Sequence, residues 1–279
     1  MATLSIPATS AEGSKWPVDG VYRFADWDGP PLEVLFTIPK GADRHAPILM
    51  VIPGAKRNAA DYRDQWHDLA VANNFITLVI GAPIASFPTE YDYNLGGVVD
   101  AEGIEQPIAK RLFASIERVF DDFVKRYGSN RETYDLYGHS AGGGFVHRYL
   151  LFNPRARVGR AVAANPAFVT LPDIDAAYPF GIAGVTIDRT SLAKWYDKRL
   201  VILLGDRDLD PRTKPLSNSE EARLQGPHVF ARGLKLFREA LASAREQNLS
   251  FRWQLEVVPN VGHSNTHMAS HAVKHLCQE

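Results

Sequence analysis

Short, unbroken apolar runs recur along this chain, and they limit its fold more than any other feature. "PILMVIPG" (47–54), "FITLVIGAP" (75–83), "TYDLYG" (133–138), "RVGRAVAANP" (157–166) and "KRLVILLGD" (198–206) are each too short for an ordinary helix and end in Gly, Pro or Asp. Such runs are the mark of strands covered on both faces, as in a parallel sheet. "PLEVLFTIP" (31–39) and "SFRWQLEVVP" (250–259) add two more strands. Helical patterns separate them, at 59–74, 107–128, 141–152, 220–247 and 267–276. The second opens on Pro107 and stops at Gly128, and the fourth is interrupted at Gly226-Pro227. Strands alternating with helices predict a three-layer α/β fold, a mostly parallel central sheet with helices on both faces. Residues 1–17 read as a loose arm and 86–103 as a long loop of the kind that is often functional. No repeat or linker divides the chain, so one domain over 1–279 is expected, with the irregular, aromatic-rich 167–198 as a small lid.

Composition removes several function classes. The 279 residues carry a formal net charge of −1 and no long run of one sign, which argues against nucleic acid or a membrane surface as partner. A small-molecule substrate is the expectation, and oligomeric state is not readable. The one cysteine, Cys277, excludes an internal disulfide and a cysteine-based zinc site. The N-terminal stretch lacks the basic start and apolar core of a signal peptide, no apolar run approaches the roughly 20 residues of a membrane span, and a cytoplasmic protein is expected.

In open α/β sheets ligands bind beyond the carboxyl ends of the strands. After "TYDLY" comes Gly138-His139-Ser140-Ala141-Gly142, a G-x-S-x-G pattern between a strand and a helix. The glycines let neighbouring backbone crowd a tight turn, while the strained serine holds its hydroxyl out. A serine needs a base, and the pattern calls for an acid and then a histidine further along. "LLGDRDLDP" (203–211) offers Asp206, Asp208 and Asp210, and "VVPNVGHSN" (257–265) offers His263. Ser140, Asp208 and His263 are the candidate nucleophile, acid and base, with Asp206 the second choice of acid because it could instead bond turn backbone. The amides of Ala141 and of Ala55, the latter in "VIPGAKRN" (51–58), are the candidate oxyanion donors. Lys56 and Arg57 either steer an anionic substrate or are simply solvated.

Other residues invite competing readings. His139 and His147 beside the elbow are expected to pack. His267, His271 and His275 recur every four residues but share their stripe with no carboxylate, so a polar helix face is expected rather than a metal site. The "DRDLD" run fails as a calcium loop, because its sixth and twelfth places hold Pro211 and Ser217. No metal or cofactor is implied. Tyr91 and Tyr93 in the long loop, with Tyr178, Phe180, Trp195 and Tyr196 in the presumed lid, either line an apolar substrate pocket or pack the lid onto the body.

Taken together, "AKRNAADYRDQWHDLAVANNF" (55–75), "YGHSAGGGFVHRYLLFNP" (137–154) and "VPNVGHS" (258–264) resemble the α/β-hydrolase fold, in its polyhydroxybutyrate-depolymerase and feruloyl-esterase-like branch. The resemblance spans roughly residues 45–277. It implies a serine esterase, and it implies an acid three residues after a strand-ending glycine, which is Asp208 after Gly205. One departure is Pro53, where many relatives carry a histidine before the oxyanion glycine. The expected function is a carboxylic-ester hydrolase acting through an acyl-enzyme. An amidase, peptidase or acyltransferase, or a non-catalytic binding protein on this fold, stands as the alternative.

Overall fold

A computed structural model of the chain describes residues 18–277; the arm read at 1–17 lies outside them. Eight strands form one sheet: β1 (Val18–Phe24), β2 (Leu32–Ile38), β3 (Ile48–Ile52), β4 (Ile76–Gly81), β5 (Tyr134–His139), β6 (Val158–Ala164), β7 (Leu200–Gly205) and β8 (Gln254–Val258). Their order is β1-β2-β4-β3-β5-β6-β7-β8. From β4 through β8 every neighbouring pair is parallel, while β1 and β2 join antiparallel at one edge. All residues of β3, β4 and β7 are buried, the burial on both faces that their unbroken apolar runs required.

The described residues form seven α-helices: α1 (Ala59–Asn73), α2 (Leu112–Tyr127), α3 (Ala141–Phe152), α4 (Arg189–Tyr196), α5 (Glu220–Gln225), α6 (Val229–Glu246) and α7 (Asn265–Ala272). Side chains alternate along a strand, so each strand serves two cores. Leu49 and Val51 of β3 pack with Tyr62, Trp66 and Ala70 of α1 and Met268, Ala269 and Ala272 of α7. Met50 and Ile52 pack on the other face with α2, α3 and α6, through residues such as Phe113, Ile116, Val146 and Leu236. These two apolar layers enclose the sheet, and the β-to-α turns emerge at one common edge.

Two features depart from the pattern read along the chain. The edge strand β1 was not expected; its burial alternates at half strength, with Tyr22 and Phe24 inward and Val21 and Arg23 outward. Only tertiary pairing with β2 completes it. Helix α4 lies within a segment expected to be irregular. The interruption read at Gly226-Pro227 falls between α5 and α6, with Gly226 at φ 151°.

The segment 167–198 packs against the body. Buried Arg148 of α3 donates to Thr170 Oγ1 at 2.7 Å and to the Phe168 carbonyl at 3.3 Å, and its guanidinium lies 4.4 Å from the Phe168 ring centroid. Trp195 is fully buried and donates its indole N–H to the His147 carbonyl at 2.8 Å.

Candidate active site

Ser140 stands between the last residue of β5 and the first of α3, with φ 60° and ψ −117°. A side-chain-bearing residue holds this left-handed backbone only when its surroundings over-determine it. They do so here. The Ser140 amide donates to the Ala164 carbonyl of β6 at 3.0 Å, and its own carbonyl accepts from Gly144 to begin α3. A Cβ at Gly138 would lie 2.1 Å from the Gly142 carbonyl oxygen, and one at Gly142 would lie 2.0 Å from the Ile52 carbonyl oxygen. The strand, the elbow and the β3 loop touch backbone to backbone, which only glycine permits.

The Ser140 hydroxyl donates to His263 Nε2 at 2.8 Å, and His263 Nδ1–H donates to Asp208 Oδ2 at 2.5 Å. The three residues follow the carboxyl ends of β5, β7 and β8, three strands of the parallel part of the sheet. Asp208 is 1% exposed. Of the aspartates in "DRDLD", Asp206 accepts from the Asn260 amide at 2.7 Å, tying the β7 loop to the β8 loop, and Asp210 is exposed. Asn165 completes the brace: its side chain accepts from the Gly205 amide at 2.8 Å and donates to the Gly262 carbonyl at 3.2 Å. Asn165 and the bracing contact of Asp206 join three loops far apart in sequence, so no local pattern marks them.

Ala55 and Ala141, the candidate oxyanion donors, both line the cavity that holds Ser140. Ala141 opens α3, where the first helical N–H groups have no intrahelical partner. Ala55 lies on the cavity wall just after Gly54, whose added Cβ would come within 3.6 Å of Ser140 Cβ. The loop bearing Ala55 is held from behind. Buried Tyr93 donates its hydroxyl to the Pro53 carbonyl at 2.7 Å. Arg57 lies 3.6 Å from the Tyr93 ring centroid and donates to the Phe87 carbonyl at 2.9 Å. Arg57 is thus committed to the protein interior, and burial lowers its pKa.

Ser140 opens into a cavity of about 400 Å³. Its wall includes Ala55, Lys56, Asn58, Gln65, Glu90, Asn94, Arg212, Thr213, Lys214 and Asn265. Among the described residues that line it, Tyr62 is the one Tyr, Phe or Trp. The aromatic pocket read from the sequence is therefore corrected. Lys56 lies on the wall, but Tyr91, Tyr93, Tyr178, Phe180 and Trp195 do not. Tyr93 supports the β3 loop, Tyr178 donates to the Leu95 carbonyl at 3.1 Å, and Phe180 packs on Phe168. Half-buried Tyr91 packs beside them, and Trp195 stacks with Tyr196 and meets Trp253 edge-on. Large flat side chains went to the seams between loops and body, where they bury the most apolar area. Of 167–198 only Ala167 borders the cavity; its outer wall is the 211–217 loop. That loop is pinned by buried Arg232 of α6, which donates to the Ser217 carbonyl at 2.7 Å and the Ala167 carbonyl at 2.6 Å. Burial brings the Arg232 pKa down to about 10.

The remaining histidines fall into place individually. His147 is fully buried, donates from Nδ1 to the Gly143 carbonyl at 3.0 Å, and accepts the Thr170 N–H at Nε2. Burial holds it well below its usual pKa. His139 lies with its ring centroid 4.6 Å from that of His263 and its Nδ1 3.3 Å from the Tyr62 hydroxyl. Burial, then the neighbouring His263 and Arg212, keep it neutral. α7 ends at Ala272, so His275 leaves the four-residue stripe and bonds Glu256 at 2.7 Å. Among the described residues no three His, Cys, Asp or Glu side chains gather as a metal site would require. Cys277 donates its amide to Asp135 at 2.6 Å, and burial raises its thiol pKa far above the usual value. No described helix is long and apolar enough to cross a membrane.

A mostly parallel eight-stranded sheet in this order, with a serine on a strained strand-to-helix turn, defines an α/β-hydrolase. No family model and no curated protein matches the chain. Solved structures do. Poly(aspartic acid) hydrolase-1 from Sphingomonas sp. KT-1 is 41% identical over 94% of this chain and all of its own, with a TM-score of 0.90. LpqC, a poly(3-hydroxybutyrate) depolymerase from Bordetella parapertussis, is 30% identical over 92% of this chain and 88% of its own, with a TM-score of 0.87. An S-formylglutathione hydrolase from Agrobacterium tumefaciens, at 15% identity over 95% of this chain and 97% of its own and a TM-score of 0.58, shares the fold. The chain belongs to the α/β-hydrolases, in their polyhydroxybutyrate-depolymerase-like branch, and is a hydrolase.

Proposed function

We propose that the protein cleaves a carboxylic ester through an acyl-enzyme on Ser140, with His263 as base and Asp208 as the acid that orients it. The observation that carries this reading is the unbroken hydrogen-bonded path from Ser140 Oγ through His263 to Asp208. Ser140 Oγ attacks the carbonyl carbon while its proton passes to His263 Nε2. Asp208 fixes the tautomer that leaves Nε2 free to accept, and stabilises the imidazolium. The Ala55 and Ala141 amides take the developing oxyanion, each contributing on the order of 3 kcal/mol to the barrier. The imidazolium returns its proton to the leaving oxygen as the acyl bond breaks. Water then attacks the acyl-enzyme, His263 accepts its proton, and Ser140 departs with that proton as the acid is released.

A fluorophosphonate probe tests the assignment. It labels the wild type and not Ser140→Ala, and the variant loses nitrophenyl-ester hydrolysis by on the order of 10⁴-fold or more. Equal labelling of both proteins overturns it.

A second reading concerns the acyl group. The cavity wall carries Lys56, Arg212 and Lys214 against Glu90, with Tyr62 as its one Tyr, Phe or Trp. Such a wall suits an anionic substrate better than the apolar one that aromatics would have served. Poly(aspartic acid), named in the description of the 41%-identical hydrolase, has an amide backbone and a carboxylate on every residue. We therefore infer that an amide of a polycarboxylate is the alternative to an uncharged ester. Incubation with poly(aspartic acid) and with poly(3-hydroxybutyrate) separates the two. Release of oligomers from the first, with a KM that rises with salt, supports the anionic substrate, and release from the second alone refutes it.

A further inference from the structure

Asp208 has two carboxylate oxygens, and each has its own donor. Oδ2 accepts from His263 at 2.5 Å; Oδ1 accepts from Arg212 Nη2 at 2.7 Å. Arg212 is four residues further along the same loop. Its guanidinium is turned back and held on the Asp210 carbonyl at 3.2 and 3.3 Å, with the side chain only 16% exposed. A fixed guanidinium on one oxygen sets the plane of a buried carboxylate, because rotation about the carboxyl bond would break both hydrogen bonds at once. It also shares the charge that would otherwise act wholly on the imidazole.

We infer that Arg212 is a positioning residue: it holds the plane of the Asp208 carboxylate and, through that carboxylate, the orientation of the His263 ring toward Ser140. The inference rests on the acyl-enzyme reading above. Several other groups surround His263. His139 packs against its ring, and Tyr62, Glu90, Lys56 and Lys214 share its cavity. Asp206 and Arg207 precede Asp208, with the Arg207 side chain in solvent. Arg212 differs from these in touching the acid directly. Its charge is felt beyond Asp208, since it is one of the causes that keep His139 neutral.

The test measures kcat and KM for an uncharged nitrophenyl ester at the pH optimum, with wild type, Arg212→Met, Arg212→Lys and Ser140→Ala. In Arg212→Met kcat falls about tenfold because the carboxylate is no longer held, and KM for the uncharged ester stays within about twofold. Arg212→Lys, which keeps a charged donor for Oδ1, recovers part of that loss. An unchanged kcat in Arg212→Met overturns the inference, as does a rise in KM alone, which would make Arg212 a substrate contact. Should Arg212→Met fail to fold, Arg212→Gln, which loses the fork that grips both Oδ1 and the Asp210 carbonyl, is read by the same criterion. The Ser140→Ala arm separates the two claims. Residual turnover there removes the acyl-enzyme reading, whereas an inactive Ser140→Ala beside an unchanged kcat in Arg212→Met removes only the role of Arg212.

Discussion

Gly142 offers a severe test of the elbow geometry, because one methyl group is enough to disturb it. In Gly142→Ala the new Cβ would stand 2.0 Å from the Ile52 carbonyl oxygen and 2.9 Å from that of Pro53. An ordinary carbon–oxygen contact is about 3.4 Å, so the start of α3 and the β3 loop must part by roughly 1 Å. Both obstacles are backbone at the end of a fully buried strand, and no flexible side chain can yield instead. Overpacking of this kind costs about 1–3 kcal/mol, which lowers the melting temperature by about 2–10 °C in a chain of this size. The same movement separates Ala55 from Ser140 and Ala141, the three groups proposed to act on one carbonyl. A misplacement of about 1 Å reduces turnover by on the order of 10²-fold. Thermal unfolding and the rate of fluorophosphonate labelling measure the two effects on one sample. Wild-type stability together with a wild-type labelling rate would refute the backbone-to-backbone contact on which this account of the elbow depends.

Three further outcomes are expected. Ser140→Gly relieves the strain at φ 60° and raises stability by about 1 kcal/mol, read as a melting-temperature gain of about 2–4 °C in an inactive protein; no gain would mean that the turn is not strained. Arg232→Met leaves the Ser217 and Ala167 carbonyls without their donor and costs about 2–4 kcal/mol, seen as a lower urea midpoint. His139 and His147 are both held below their usual pKa by burial, so the unfolded chain binds their protons first as pH falls. Their stabilising contribution is complete above about pH 6.5 and is lost below it, at up to about 1.4 kcal/mol per pH unit for each group. Urea unfolding between pH 8 and 5 measures this slope, and His147→Gln makes it shallower; an unchanged slope would show that His147 is not held neutral.

Much of this architecture is written in local patterns. Strands β3, β4, β5, β6 and β7 announce themselves because residues buried on both faces must all be apolar. Helix α2 announces itself by its stripe and by its proline and glycine ends. The edge strand β1 is hidden because one face meets solvent and half its residues are unconstrained. Helix α4 is short, and its register is set by Leu192, Trp195 and Tyr196 packing into the body rather than by its own pattern. The aromatics of the long loop and of 167–198 were ambiguous for a related reason. An aromatic ring is equally at home lining a pocket or sealing a seam, and its sequence context is the same in both.

Local patterns in the chain specify the class of fold, the serine on its glycine-crowded turn, and an acid and a histidine waiting at later strand ends. These are local requirements: burial dictates apolar runs, and a tight turn dictates glycine where backbone approaches backbone. Long-range packing selects which aspartate meets His263, how Asn165 and Asp206 brace the loops, and that Arg212 holds the other oxygen of Asp208. It also decides that Lys56, Arg212 and Lys214 share the cavity wall, with Tyr62 as its one Tyr, Phe or Trp. Each of these depends on where a side chain points after distant loops have been brought to one edge of the sheet. That direction is set by packing across the whole sheet, not by the residues on either side in the chain.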